Sequence, residues 1–117
     1  MKFFNKIRTY MIRNEFYGDD EMEIGYEKKL DVLVFILEKD YKYGSSIEVD
    51  AGFIIDVDTN NKLVAIEIVN CSEQIGESTD YVENAKKDVF VEKYEFSYKI
   101  IVSFNDGEKE IVKRVLK

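Results

Sequence analysis

The sequence predicts an α+β fold: a single domain of mostly antiparallel β-sheet, with about six to seven strands and one or two short helices. Three observations predict it. A tight turn at Asn60-Asn61 sets Val57 against Val64, Ile55 against Ile66 and Phe53 against Ile68, so one face of a hairpin is wholly apolar. Asp106-Gly107 separates two further alternating runs and is a strong two-residue hairpin signal. At 117 residues, with no fixed-period repeat, linker or low-complexity tract, the chain suits one domain around one core.

Residues 2–13 place Phe3, Phe4, Ile7, Tyr10 and Met11 at helical spacing, which predicts a short amphipathic helix. A strand over 8–16 is the rival, favoured by its Tyr, Ile and Phe. Gly18-Asp19-Asp20-Glu21 closes the segment as an acidic turn. Residues 22–26 then alternate, and an even-length loop to the run at 30–38 sets Tyr26 opposite Asp31, Ile24 opposite Leu33 and Met22 opposite Phe35. The run at 31–37 is apolar on both faces, as in a central strand covered on two sides or one at a subunit interface. Residues 39–46 read as a polar connection, with a short extended piece at 41–43.

After the central hairpin, 72–78 reads as loop, and Thr79 or Asp80 caps a short helix over 81–87. Asp80 early and Lys86-Lys87 late suit that helix's dipole. Strands at 89–93, 95–104 and 108–116 finish the chain, the last two pairing Val102 with Ile111 and Tyr98 with Val115. Tyr94, Phe96 and Tyr98 then share one strand face and pack on the core.

Composition excludes several chemistries. Histidine is absent, so no Ser-His-Asp or Cys-His triad, imidazole zinc ligand or histidine pH switch can be built. A lone Cys71, at the end of an apolar strand, makes neither an intrachain disulfide nor a thiolate metal cluster and reads as a small buried hydrophobe. The net charge of −7 argues against nucleic acid as the primary ligand and favours a basic protein or a cation. No apolar run approaches the length that spans a membrane, and Asn5, Lys6 and Arg8 interrupt the signal-like start, so a cytoplasmic protein is expected.

One constellation carries chemistry. Asp56, Asp58 and Glu67 share the polar face of the predicted hairpin, where oxygen ligands on adjacent strands can converge on Mg²⁺ or Ca²⁺ or share a proton. Asp31, on a neighbouring strand, is a further candidate. The competing reading is an ordinary exposed sheet face, with Asp58 starting the turn. Tyr26 beside Asp31 reads as a cross-strand hydrogen bond or a packed pair, not as a catalytic tyrosine, so no catalytic residue is assigned.

Tyr26, Asp31-Val32-Leu33-Val34-Phe35, Asp56-Val57-Asp58, the Asn60-Asn61 turn, Val64-Ala65-Ile66-Glu67-Ile68-Val69 and Ser72 together make a pattern. It resembles domain-of-unknown-function family 2283, small prokaryotic proteins, over about residues 22–72. Val34 stands where a tyrosine is usual, Asn61 where a turn glycine is common, and Ala65 where a glycine is expected. The resemblance implies a small mixed fold with no assigned activity, and relatives that are similar to partners of small toxin-like proteins. On that footing 1–21 is an N-terminal extension, 22–72 a family-like β core, and 73–117 a short helix plus a C-terminal meander. The reading is a non-catalytic interaction module, with a basic, toxin-like protein or a second copy of the chain as partner. A carboxylate-based metal-binding protein or hydrolase is the alternative.

Overall fold

In the computed structural model, which describes residues 6–9 and 22–116, the apolar alternation resolves into two antiparallel sheets. Nine strands are described: β1 (Lys6–Thr9), β2 (Glu23–Glu27), β3 (Val32–Ile36), β4 (Tyr43–Asp50), β5 (Phe53–Asp58), β6 (Leu63–Val69), β7 (Lys87–Tyr94), β8 (Ser97–Phe104) and β9 (Lys109–Leu116). Two short helices, α1 (Cys71–Ile75) and α2 (Thr79–Asn84), link the sheets. The first sheet has the order β2-β3-β6-β5-β4 and the second β1-β7-β8-β9. The α+β expectation holds. No helix among the described residues is long and apolar enough to cross a membrane.

The core lies between the sheets. Leu33, Phe35, Phe53, Ile55, Ile66 and Ile68 are fully buried on the five-stranded side, and Ile100, Val102 and Phe104 on the four-stranded side. Cys71, Ile75 and Val82 of the helices join the same cluster. Each buried aliphatic or aromatic side chain contributes about 1.5–3 kcal/mol. A polar latch accompanies them: Lys113 Nζ donates to Asp50 at 2.9 Å and lies 6.0 Å from the Phe53 ring centroid, tying β9 to the β4–β5 hairpin.

Registers test the sequence reading strand by strand. The β8–β9 pairing is as expected, with Tyr98 opposite Val115 and Val102 opposite Ile111. Phe53–Ile68 and Ile55–Ile66 also stand. Val57, however, faces Leu63 instead of Val64, because a β-bulge follows Asp56. Its cause is the turn. Asn61 adopts the left-handed conformation (φ 64°), and Asp58 N donates to Lys62 O at 2.9 Å, so the loop closes on three residues, not two. The bulge absorbs the parity change, and Leu63, Val64, Ala65 and Ile66 are all buried.

The β2–β3 hairpin corrects a second expectation. Tyr26 pairs with Leu33 and Ile24 with Phe35, two residues from the predicted register. The loop is four residues long, with Asp31 itself in the left-handed region (φ 56°) and its amide donating to Lys28 O. A slip of two keeps every side chain on its expected face, so the burial pattern could not reveal it.

Other corrections are local. The helix expected over 2–13 is strand at Lys6–Thr9, where β1 pairs with β7; the remaining positions of that segment, and the acidic turn at 18–21, lie outside the described residues. The connection expected over 39–46 is instead strand from 43 on, as the start of edge strand β4, which runs to Asp50. It pairs on one side only, and its side chains are mostly exposed, so it lacks the apolar alternation of an inner strand. Two glycines seat it. A Cβ on Gly44 would lie 2.4 Å from Asp58 O, and Gly52 turns the hairpin at φ 75°. The expected 72–78 loop is largely taken up by α1, and α2 is capped by Ser78 instead of the expected Thr79 or Asp80, through Tyr81 N to Ser78 Oγ at 3.1 Å. Glu95 and Phe96 form the β7–β8 turn, which leaves Phe96 exposed while Tyr98 packs on the core.

Candidate functional site

Two features of the five-stranded sheet place its polar residues. The first is a knot beneath the β2–β3 turn. Because Asp31 takes a left-handed backbone, its carbonyl and its carboxylate both turn towards the start of α1. Asn70, the residue before α1, is also left-handed and offers no side-chain cap. Asp31 caps the helix instead, from 41 residues away: Cys71 N donates to its carbonyl at 3.1 Å, and Ser72 N to its carboxylate at 3.0 Å. Ser72 Oγ adds a bond of 2.6 Å to Oδ2, and Tyr26 OH one of 2.6 Å to Oδ1.

The electrostatics follow from this geometry. Desolvation pushes the Asp31 carboxyl up, but the bonds from Ser72 and Tyr26 outweigh it and hold it below the usual carboxylate range. Burial, then the hydrogen bond to Asp31, raises Tyr26 well above the ordinary phenol. Burial and the Asp31 charge push the Cys71 thiol up to about 12. Burial lowers the neighbouring Lys87. A depressed carboxylate is a poor general base, a raised phenol a poor acid, and a raised thiol a poor nucleophile. The knot is a clamp: its chemistry is charge-assisted hydrogen bonding.

The second feature is the outer face of the sheet, where the pairing puts Gly25, Val34, Glu67, Ile54 and Glu48 in one row across all five strands. Here the sequence-predicted acids separate. Asp56 accepts Ser46 Oγ at 2.6 Å and Tyr41 OH at 3.5 Å, and Ser46 in turn bonds Tyr43 OH at 2.8 Å. Asp58 Oδ1 accepts the amides of Asn60 at 2.8 Å and Lys62 at 2.9 Å, the turn-starting role. Glu67 is exposed on the central strand, opposite Ile54 and Val34. Asp31 belongs to the knot. Among the described residues, no group of three or more Cys, Asp or Glu side chains is placed to hold a metal ion.

The Asp31–Ser72 bond is the element that sequence reasoning missed. Both residues stand in the quoted pattern, but nothing local to either shows that a turn and a helix start would meet. Residues 23–72 match the family described as "Protein of unknown function (DUF2283)". The matched segment thus spans the five-stranded sheet and ends on Ser72, so it contains all four residues of the knot, Tyr26, Asp31, Cys71 and Ser72. No curated protein and no solved structure matches the chain.

Proposed function

We propose that this chain is a small non-catalytic interaction module whose five-stranded sheet engages a basic protein. The observation that supports this reading is where the charge lies. Residues 23–72 carry ten Asp and Glu against five Lys, so this segment holds most of the chain's acid surplus. Three of those lysines are committed at the sheet's margins: Lys28 to Asp80 and Glu83, Lys39 to Glu23, and Lys62 to Glu38. The outer face is left acidic, and a complementary partner is steered to it by long-range attraction.

The test is affinity purification of the full chain from its source cells, followed by mass spectrometry and salt titration of the recovered complex. A basic protein whose binding weakens as salt rises supports the reading. Recovery of no basic protein, or binding indifferent to salt, refutes it.

A further inference from the structure

We infer that the outer face of the five-stranded sheet docks a basic amphipathic helix of the partner, with a Lys or Arg of that helix meeting Glu67. This rests on the interaction-module reading and specifies its partner. Glu67 stands on β6, the central strand, flanked by Val34 and Ile54 across the sheet and by Ala65 and Val69 along the strand. Among the described residues its carboxylate makes no hydrogen bond or ion pair. An exposed carboxylate with aliphatic neighbours on four sides, and Asp56 and Glu48 further across the same face, fits a partner that is apolar around its cations.

The backbone decides between helix and strand. In β3, β5 and β6 both sides of the strand are already paired, so an occupant of this face meets side chains only. An added strand needs open amides and carbonyls, which lie at the sheet edges; a helix brings its own bonds satisfied. The row from Gly25 to Glu48 crosses four strand spacings, about 19 Å, which a helix of about 13 residues spans. At one end Gly25 leaves an open shelf, since a Cβ there would have no atom within 4 Å, and a groove lined by Glu23, Ile24, Val34 and Ile36 runs beside it. A bulky apolar side chain of the helix fits that shelf. A second copy does not: face to face, it sets Glu48, Asp56 and Glu67 against their equivalents.

The experiment uses the full chain and a synthetic helix, an acetylated amide repeating Leu-Lys-Lys-Leu-Leu-Lys-Leu, with a scrambled peptide of equal composition as control. NMR amide shifts map the site and calorimetry gives Kd. Shifts centred on Val34, Ile54, Glu67 and Val69 are expected, with binding about tenfold weaker in Glu67→Lys, weakened less in Glu67→Gln, and unchanged in Ser45→Lys at the β4 edge. Glu67 is exposed, and unchanged circular dichroism confirms that both of its variants fold. Equal binding of the scrambled peptide, shifts confined to β4 or to the four-stranded sheet, or an unaffected Glu67→Lys overturns the inference. So does a dimer in light scattering that Glu67→Lys dissociates, because a second copy then holds the face. If a native basic partner is captured by Glu67→Lys but lost from Ser45→Lys, the module reading stands and only the docking face is wrong. If the wild type binds neither partner nor peptide, the module reading itself fails.

Discussion

Replacing Asp31 tests the clamp and separates its two contributions, carboxylate and backbone. Ser72 is 7% exposed, so without the Asp31 carboxylate its amide and hydroxyl lose their partner away from water. Such loss costs about 1–3 kcal/mol per buried donor. The left-handed backbone at φ 56° adds about 1 kcal/mol when the new residue is Ala, and nothing when it is Gly. Asp31→Ala is therefore expected to cost about 3–4 kcal/mol and Asp31→Gly about 2–3. Asp31→Asn keeps both the backbone preference and one acceptor, and should cost about 1–2 kcal/mol. For a domain of this size, about 3 kcal/mol lowers Tm by roughly 12 °C.

Urea unfolding followed by far-UV circular dichroism measures all three variants. An Ala variant within about 0.5 kcal/mol of wild type, or an order other than Ala, Gly, Asn, would refute the reasoning. The pH dependence has a definite sign. The folded carboxyl titrates below its unfolded value, so its stabilisation is complete above the unfolded pKa of about 3.9 and disappears as pH falls through the lower folded value. The gap between wild type and Asp31→Asn should be constant near neutrality and close below about pH 4.

Four further outcomes are expected. Gly52→Ala should cost about 2 kcal/mol or more in chemical denaturation, because φ is 75° and the added Cβ meets Val69 O at 2.9 Å; a neutral effect would mean that the turn rearranges. Asp58→Ala should cost about 1–2 kcal/mol by freeing two turn amides, read from the same unfolding curves. Cys71, buried with its thiol pushed up to about 12, should resist iodoacetamide at pH 8 until urea unfolds the chain, and rapid labelling of the native protein by mass spectrometry would contradict its placement. Calorimetric titration with Ca²⁺ or Mg²⁺ should give no heat, since Asp58 serves its turn and Asp56 accepts from Ser46 and Tyr41; heat that Asp56→Ala or Glu67→Ala abolishes would revive the metal site.

How far the fold is legible in the sequence depends on what each residue has to satisfy locally. Asp106-Gly107 specifies its own turn, so the β8–β9 register follows from the sequence. At Asn60-Asn61 the pattern gives the correct inner face. It does not disclose that Asp58 would hold two amides and close a three-residue loop, which only the bulge reconciles. At β2–β3 a slip of two residues is invisible to alternation. Strand β4 escapes because an edge strand answers to one neighbour and to water. Of the knot, the Tyr26–Asp31 hydrogen bond is legible in the sequence, but its other half was out of reach for a different reason: Ser72 and Asp31 are joined by the packing of a helix start under a turn, and no periodicity encodes that meeting. The acids of the polar face illustrate the same limit, for alternation assigns Asp56, Asp58 and Glu67 to one side but is silent on what each bonds.

The order β2-β3-β6-β5-β4 has a kinetic consequence during synthesis. The ribosome delivers two hairpins before the strand that joins them, and β6, which lies between them, emerges last of the five. Until Val69 clears the exit tunnel, Phe35 and Phe53 belong to separate, half-formed ribbons with no common interior. A nascent chain arrested near Lys62 should therefore be protease-sensitive and prone to self-association, and protection should arrive in one step as β6 slots into place.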